Sequence, residues 1–176
     1  MKSKFLLAVA ASVITATVLP LSIAIAQATP GTYHVVRKLP VGGDGGWDYV
    51  TVDTVGNRLF LSRGTHAMVI DLASGSVIGD IPNTLGIHGV AVAPDLNRGF
   101  TSNGRDSSVT IFDYKTLAPI AVVKIPARNS DAILYAPGTM PLFLFNGGTS
   151  HAAGITSAHG TLVGQVRLVG KARARG

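Results

Sequence analysis

The sequence contains no cysteine and no glutamate, and it has a single tryptophan among its 176 residues. The absence of cysteine excludes a disulfide scaffold, a thiolate metal site and a cysteine nucleophile. All nine acidic residues are aspartate, and glycine (21) and proline (9) are abundant. Because aspartate, glycine and proline favour turns over helices, long helices are not expected. With 47% hydrophobic and 14% charged residues, the composition is that of a folded chain.

The formal net charge of +6 is concentrated at the two ends of the sequence. Lys2 and Lys4 open the chain, and four more basic residues fall within the last ten: Arg167, Lys171, Arg173 and Arg175. Between residues 29 and 166, the nine basic residues are balanced by the nine aspartates. No basic face is therefore implied for the body of the protein, and nucleic acid is not a favoured partner.

The first 28 residues are typical of a secretory signal peptide. Two lysines precede an uncharged, mostly apolar stretch from Phe5 to Ala26, and Ala26-Gln27-Ala28 supplies the small residues of a cleavage site. The alternative is an uncleaved membrane anchor, since the stretch is just long enough to span a bilayer. We expect cleavage after Ala28, a periplasmic or secreted bacterial protein, and no membrane association afterwards.

The remainder of the chain is repetitive. Asp48–Asp53 is repeated 40 residues later by His88–Ala93, and a third copy starts at Asp131. Each unit is predicted to contain four short strands separated by turn residues. In the first unit these strands are Tyr49–Asp53, Arg58–Ser62, Ala67–Asp71 and Ser76–Ile81. A four-strand repeat of about 40–43 residues has the size of one blade of a β-propeller, as in WD40 proteins.

The repeats predict an all-β fold of four-stranded antiparallel blades. The predicted blades are residues 42–86, 87–129 and a divergent 130–170, with a basic tail at 171–176. Residues 29–41 match the outer strand of a blade, so they are predicted to be the closing strand of a blade. The prediction is an incomplete, open arc of three blades plus one N-terminal strand, because propellers close with at least about four blades.

Three sequence segments resemble the bacterial YncE-like family of YVTN-repeat propellers. These are Gly43–Tyr49, His88–Ala91 and Ser102–Gly104. The resemblance implies an exported propeller that binds a ligand or partner without catalysis. Related propellers include lactonases and quinoprotein oxidoreductases, so a fragment of a propeller enzyme is the alternative function.

The sequence departs from this family pattern in the third unit. Thr156 stands where the pattern has aspartate, and the basic tail replaces the start of another blade. We therefore expect a truncated or frame-shifted propeller, or assembly of two or more chains into a ring. Open blade edges also predict self-association.

Candidate binding residues occupy one repeat position. Asp48, His88 and Asp131 each precede the innermost strand of a unit, so they are expected to converge at the mouth of the central channel. Antiparallel strand order places three second-strand ends on the same face: Arg63, Asn103 and Asn146. Such a set could bind a hard cation or another polar ligand. Alternatively, these side chains bind backbone groups around the strand starts.

Trp47, beside Asp48, could stack on a ligand, but packing between adjacent blades is the favoured interpretation. Asp71 and Asp113 end third strands and are predicted to cap turns. No His-Glu-x-x-His or Gly-x-Ser-x-Gly motif is present, and no cofactor motif is found. The sequence thus predicts a non-catalytic binding protein for an unknown small ligand or protein.

Overall fold

The structure is a computed structural model that describes residue 31 and residues 33–138 and 141–170, the side chain of Pro141 excepted. The predicted signal peptide and the basic tail lie outside the described residues. The chain divides into two units, Met1–Arg37 and Lys38–Gly176. The described residues of the first unit contain no helix or strand, and those of the second contain every strand described below.

The second unit contains three four-stranded antiparallel sheets, each built from four strands that are consecutive in the chain. We call them blades 1, 2 and 3. Blade 1 consists of β1 (Val50–Asp53), β2 (Arg58–Ser62), β3 (Ala67–Asp71) and β4 (Val77–Ile81). Blade 2 consists of β5 (Ile87–Ala93), β6 (Arg98–Asn103), β7 (Ser108–Asp113) and β8 (Pro119–Lys124). Blade 3 consists of β9 (Ser130–Tyr135), β10 (Pro141–Asn146), β11 (His151–Thr156) and β12 (Leu162–Arg167).

The predicted all-β architecture of open propeller blades is confirmed. The one helical turn within the described residues is a short 3-10 segment at Pro94–Leu96. It ends at Asn97, which has a φ of 50°, as does its repeat equivalent Asn57 at 51°. Asparagine tolerates this left-handed conformation better than most residues, so it suits both turns. No helix among the described residues could cross a bilayer by length and apolarity.

Adjacent blades pack face to face through apolar side chains. We call the side of a blade that faces the next blade in the chain its forward face, and the opposite side its backward face. Phe60 on the forward face of blade 1 packs near Phe112 of blade 2, with ring centroids 5.9 Å apart. Phe100, the repeat equivalent of Phe60, lies in a second core with Leu142 and Leu144 of blade 3. Burial of these side chains is the main source of stability between the blades.

Hydrogen bonds also join neighbouring blades. The Asp53 carboxylate of blade 1 accepts one from the Tyr114 hydroxyl of blade 2, at 3.0 Å. The Tyr135 hydroxyl of blade 3 donates to Asp95 at 2.7 Å. Burial, with the hydrogen bond to Asp95, raises the pKa of Tyr135 to about 12. Each tyrosine therefore satisfies its polar tip while its ring lies in the interface.

The segment that precedes β1 packs against the middle strands of blade 1 on its backward face. Leu61, Met68 and Ile70 form a third apolar cluster on this face, and Leu39 and Val41 pack against it. The cover is confined to the middle strands, because Val50 and Val52 of β1 lie on the same face and are each 55% exposed. Blades 2 and 3 pack their backward faces against the preceding blade.

The predicted N-terminal strand is not formed over residues 33–41, and that part of the prediction is wrong. An outer strand pairs with the third strand of its blade. Each third strand in the structure already pairs with its own fourth strand, β3 with β4, β7 with β8 and β11 with β12. The segment therefore has no blade among the described residues to complete, and its apolar side chains Leu39 and Val41 cover blade 1 instead.

Candidate functional site

The starts of the inner strands bring together part of the predicted site. Nδ1 of His88 lies 2.6 Å from Oδ2 of Asp48. On the other side of the ring, Nε2 of His88 lies 3.2 Å from Oδ1 of Asn129. These residues come from blade 1, blade 2 and the loop that enters blade 3. A polar line therefore runs across three consecutive repeats at one end of the inner strands.

The imidazole of His88 lies between two oxygen atoms. A neutral ring carries one N–H, so it can donate to only one of them. Two arrangements satisfy the geometry: a protonated ring that donates to both, or a neutral ring that donates to Asp48 while the Asn129 amide is turned to donate to Nε2. In both, the carboxylate of Asp48 accepts a hydrogen bond and orients the ring.

Asp131 holds the same repeat position but does not join this line. The residue is half-buried, and its carboxylate makes no hydrogen bond or ion pair with any described residue. Its backbone carbonyl accepts a hydrogen bond from the Ser102 hydroxyl. The carbonyl of His88 likewise accepts one from the Ser62 hydroxyl, at 2.6 Å. The backbone at these positions thus ties adjacent blades together, while the side chains of Asp131 and His88 differ in their contacts.

Arg63 is buried, with 1% of its surface exposed. Its Nη2 donates to the carbonyls of Gly43 and Asp44, the latter at 2.9 Å, while Nε and Nη1 have no partner among the described residues. Its guanidinium carbon lies 3.6 Å from the ring centroid of Trp47. Arg63 therefore anchors the glycine-rich loop before β1 through these two hydrogen bonds.

Trp47 does not pack between blades, so the favoured prediction for it was wrong. Its side chain is 61% exposed, and it stacks on the Arg63 guanidinium instead. The physical reason is that Arg63 already occupies the buried space at the end of β2, where a cation–π contact holds the indole at the surface. The ring is therefore a fixed, exposed aromatic surface next to Asp48 in the chain.

Asn103 and Asn146 lie inside their blades rather than on the exposed face. Asn103 donates to the hydroxyls of Ser108 and Thr110, at 3.0 and 2.9 Å. Asn146 accepts from Ser130 at 3.1 Å and donates to the carbonyl of His151 at 3.3 Å. Both asparagines are almost fully buried, with at most 1% of each residue exposed, and both amides have hydrogen-bond partners. They make hydrogen bonds at the ends of their strands, which is the structural role given above as the alternative to ligand binding.

Asn129 was not predicted as a site residue. It stands two residues before Asp131, and the equivalent position in the second repeat is Gly86, with a φ of 66°. Asn129 itself has a φ of 54°. The available sequence signal was an asparagine at a position that holds glycine in the second repeat. Asparagine keeps the left-handed backbone of this turn and adds a side-chain amide that can contact a neighbour.

Below this polar line, the inner strands form two shallow apolar depressions, of about 150 and 310 Å³. Val90 and Ile133 line both. Within the described part of the chain, no group of three or more His, Cys, Asp or Glu residues is arranged to hold a metal ion. The starts of the inner strands therefore offer hydrogen-bond acceptors near apolar depressions, and an exposed indole stands next to Asp48 in the chain.

Comparisons with known proteins identify the fold alone. No family model matches the chain, and no curated protein matches it. Among solved structures it is similar to Kuenenia stuttgartiensis hydrazine synthase, with 20% identity and a TM-score of 0.66 over 83% of this chain and 41% of that one. It is also similar to U3-55K and to the WD40 repeats of RRP9. Both are 12% identical with TM-scores of 0.66, over 74% of this chain and 42% and 41% of theirs.

These neighbours are of the WD40 and β-propeller type, so the repeat units are propeller blades. The chain spans less than half the length of each of these three solved chains.

Proposed function

We propose that this chain is an exported, non-catalytic binding protein that holds a small ligand or partner on its channel-mouth face. We define that face by Trp47, Asp48, His88, Asn129 and Asp131. The observation that carries the proposal is the exposed indole of Trp47, held on the buried Arg63 guanidinium. Tryptophan is enriched at binding surfaces, because its ring offers a large apolar area together with a polar N–H.

The chemistry of the face favours a ligand that donates hydrogen bonds. Asp48 and Asp131 present carboxylates, which accept hydrogen bonds only, and the Asp131 carboxylate makes no hydrogen bond with a described residue. A donor on a ligand would give the Asp131 carboxylate a hydrogen bond that no described residue supplies. The indole provides a flat apolar surface for stacking. Hydroxyl-rich rings and organic cations combine these two properties.

The contacts of His88 support a binding role over catalysis. An Asp–His pair activates a nucleophile when the second ring nitrogen faces a hydroxyl or thiol. Here Nε2 of His88 faces the Asn129 amide, and the nearby Ser62 hydroxyl donates to the His88 backbone carbonyl instead. The pair is therefore engaged in positioning. Export is proposed on the N-terminal sequence pattern described above.

Trp47 is the sole tryptophan, so its fluorescence reports directly on this face. We expect maltotriose, a hydroxyl-rich probe, or spermidine, a cationic one, to change the emission saturably, while acetate has no effect. The Asp131→Asn variant should weaken that response at least tenfold, because it removes the charge of the unpartnered carboxylate. Thr116→Ala, in a distant turn of blade 2, is the matched control and should respond like the wild type.

A response to acetate alone, or a response unchanged in Asp131→Asn, would contradict the proposed site. A flat emission with both donor-rich probes would contradict the ligand chemistry.

A further inference from the structure

The forward face of blade 3 is open, although the same face is covered in the other two blades. Phe60, Phe100 and Phe143 occupy one repeat position on β2, β6 and β10. Their exposed fractions are 0%, 1% and 36%. The first two phenylalanines are buried by the next blade in the chain. Phe143 is therefore built for an apolar interface that no described residue completes.

The outer strand repeats this comparison. Ile81, Val123 and Val166 are equivalent, since each pairs with the first forward-facing residue of its third strand. Ile81 is fully buried, Val123 packs half-buried against blade 3, and Val166 is 64% exposed. Leu134 on the inner strand is 56% exposed. The open face thus extends across the whole width of the sheet.

The face is apolar and slightly concave. Phe143, Ala152, Val163 and Val166 line a hollow of about 370 Å³, and no residue that lines it is charged. A contiguous apolar patch of this kind marks an interaction surface. Because it carries no charge, two copies of the face can meet without like-charge repulsion.

We infer that the forward face of blade 3 is covered by the same face of a second copy of this chain. The forward faces of blades 1 and 2 show what fits such a surface in this protein, namely another four-stranded sheet. A head-to-tail contact would require the backward face of blade 1, and it would have to displace Leu39 and Val41 from the middle strands of that face. Pairing of the same face on two copies occurs about a twofold axis, and this closes the assembly at two chains.

Two segments of the chain outside the described residues are the rival occupants. In the basic tail, residues 171–176, three of six residues are charged, and burial of unpaired charges against an apolar sheet is unfavourable. The uncharged stretch from Phe5 to Ala26 is apolar enough to cover the face within one chain. It is the rival that the experiment must separate from the dimer.

The size of the face sets the expected affinity. One sheet face of four short strands presents several hundred Å², so the pair would bury about 1,000 Å², at the lower end for specific interfaces. A small apolar interface of this size gives a reversible dimer, with a dissociation constant on the order of 10 μM.

Sedimentation equilibrium of the purified full chain, from about 1 to 200 μM, tests the dimer at concentrations on both sides of the expected constant. We expect the mass to rise from one copy to two and then to stay constant. Val166→Lys, on the open face, should weaken association at least tenfold, and Val163→Lys should do the same. The control is Val122→Lys, since Val122 lies on the outer strand of blade 2 and is 54% exposed. It should dimerise like the wild type.

A single-copy mass at every concentration would overturn the proposal and favour cover by residues 5–26. Mass that grows beyond two copies would show head-to-tail assembly and would equally overturn it. So would a dimer that persists in both lysine variants while their circular dichroism remains native.

Discussion

A buried polar cluster at the junction of blades 1 and 2 combines three side chains. The Asp53 carboxylate accepts hydrogen bonds from Arg58 Nη2 at 3.0 Å, the Tyr114 hydroxyl at 3.0 Å and the Gly56 N–H at 2.9 Å. Arg58 also donates to the Tyr114 carbonyl and lies over the Tyr114 ring. Burial alone would raise the pKa of Asp53, but these hydrogen bonds and the charge of Arg58 outweigh it and lower the pKa.

Asp53→Asn should destabilise the protein at neutral pH by about 3 kcal/mol, because it leaves the buried Arg58 without its counterion. A carboxyl whose pKa is lower in the folded state stabilises the fold above its unfolded value near 3.8. That contribution is lost as pH falls through the folded pKa. The stability difference between the wild type and Asp53→Asn, from urea unfolding at pH 7 and at pH 3 or below, should therefore narrow with acidity.

The matched control is Asp106→Asn. Asp106 pairs with Lys124 at the surface, where the lysine side chain is 67% exposed. Its loss should cost less than about 1 kcal/mol. Equal losses of stability in the two variants would contradict this account of the cluster. So would a stability difference between the wild type and Asp53→Asn that widens in acid.

At the scale of the strand, the turns after the third strands are closed by one side chain each. Asp71 accepts hydrogen bonds from the Ser74 N–H and hydroxyl, both at 2.7 Å. Asp113 accepts from the Lys115 and Thr116 N–H groups. The prediction that both aspartates cap turns is thus confirmed. Thr156, which replaces the aspartate in blade 3, accepts one hydrogen bond, from the Thr161 N–H at 3.0 Å.

Thr156→Asp should raise the free energy of unfolding by about 0.5–1 kcal/mol, because a carboxylate accepts more turn N–H groups than a hydroxyl does. The reverse substitution, Asp71→Thr, should lower it by about as much. Urea unfolding at neutral pH measures both. A loss of stability in Thr156→Asp would show that the turn of blade 3 differs in kind from the other two.

Much of the strand pattern follows from the repeat. The predicted bounds of β2 and β3 agree with the structure, and those of β1 and β4 differ by one residue. Each turn signal occurs again in the next repeat, so the bounds of a strand can be inferred from two places in the sequence. Residues 33–41 had the composition of an outer strand, but strand formation requires a partner strand, and a linear pattern does not reveal whether one is free.

The candidate site was less predictable for a similar reason. The shared repeat position predicted that Asp48 and His88 lie close together, and their side chains are 2.6 Å apart. It did not distinguish exposed from buried side chains at the strand ends. Arg63 and Asn103 are equivalent by repeat, and both are buried, one under Trp47 and the other within its blade. Burial at these positions depends on loop packing, which the repeat does not encode.

At the scale of the whole molecule, the two outer faces of the three-blade unit differ. Leu39 and Val41 pack against the middle strands of blade 1 on its backward face, whereas Phe143 and Val166 are exposed on the forward face of blade 3. In repeat proteins each unit is stabilised by its neighbours, so a unit with one neighbour is the least stable. Blade 3 should therefore open more readily than blade 2 unless its free face is covered.

Amide hydrogen exchange of the purified chain, read by mass spectrometry at low and high protein concentration, tests this account most directly. We predict slow exchange in the middle strands of all three blades, with blade 3 the fastest at low concentration. At high concentration, protection should increase in β10 and β12 and remain unchanged in β4 and β8. Rapid exchange throughout blade 3 at both concentrations, or slow exchange over residues 33–41, would contradict the account.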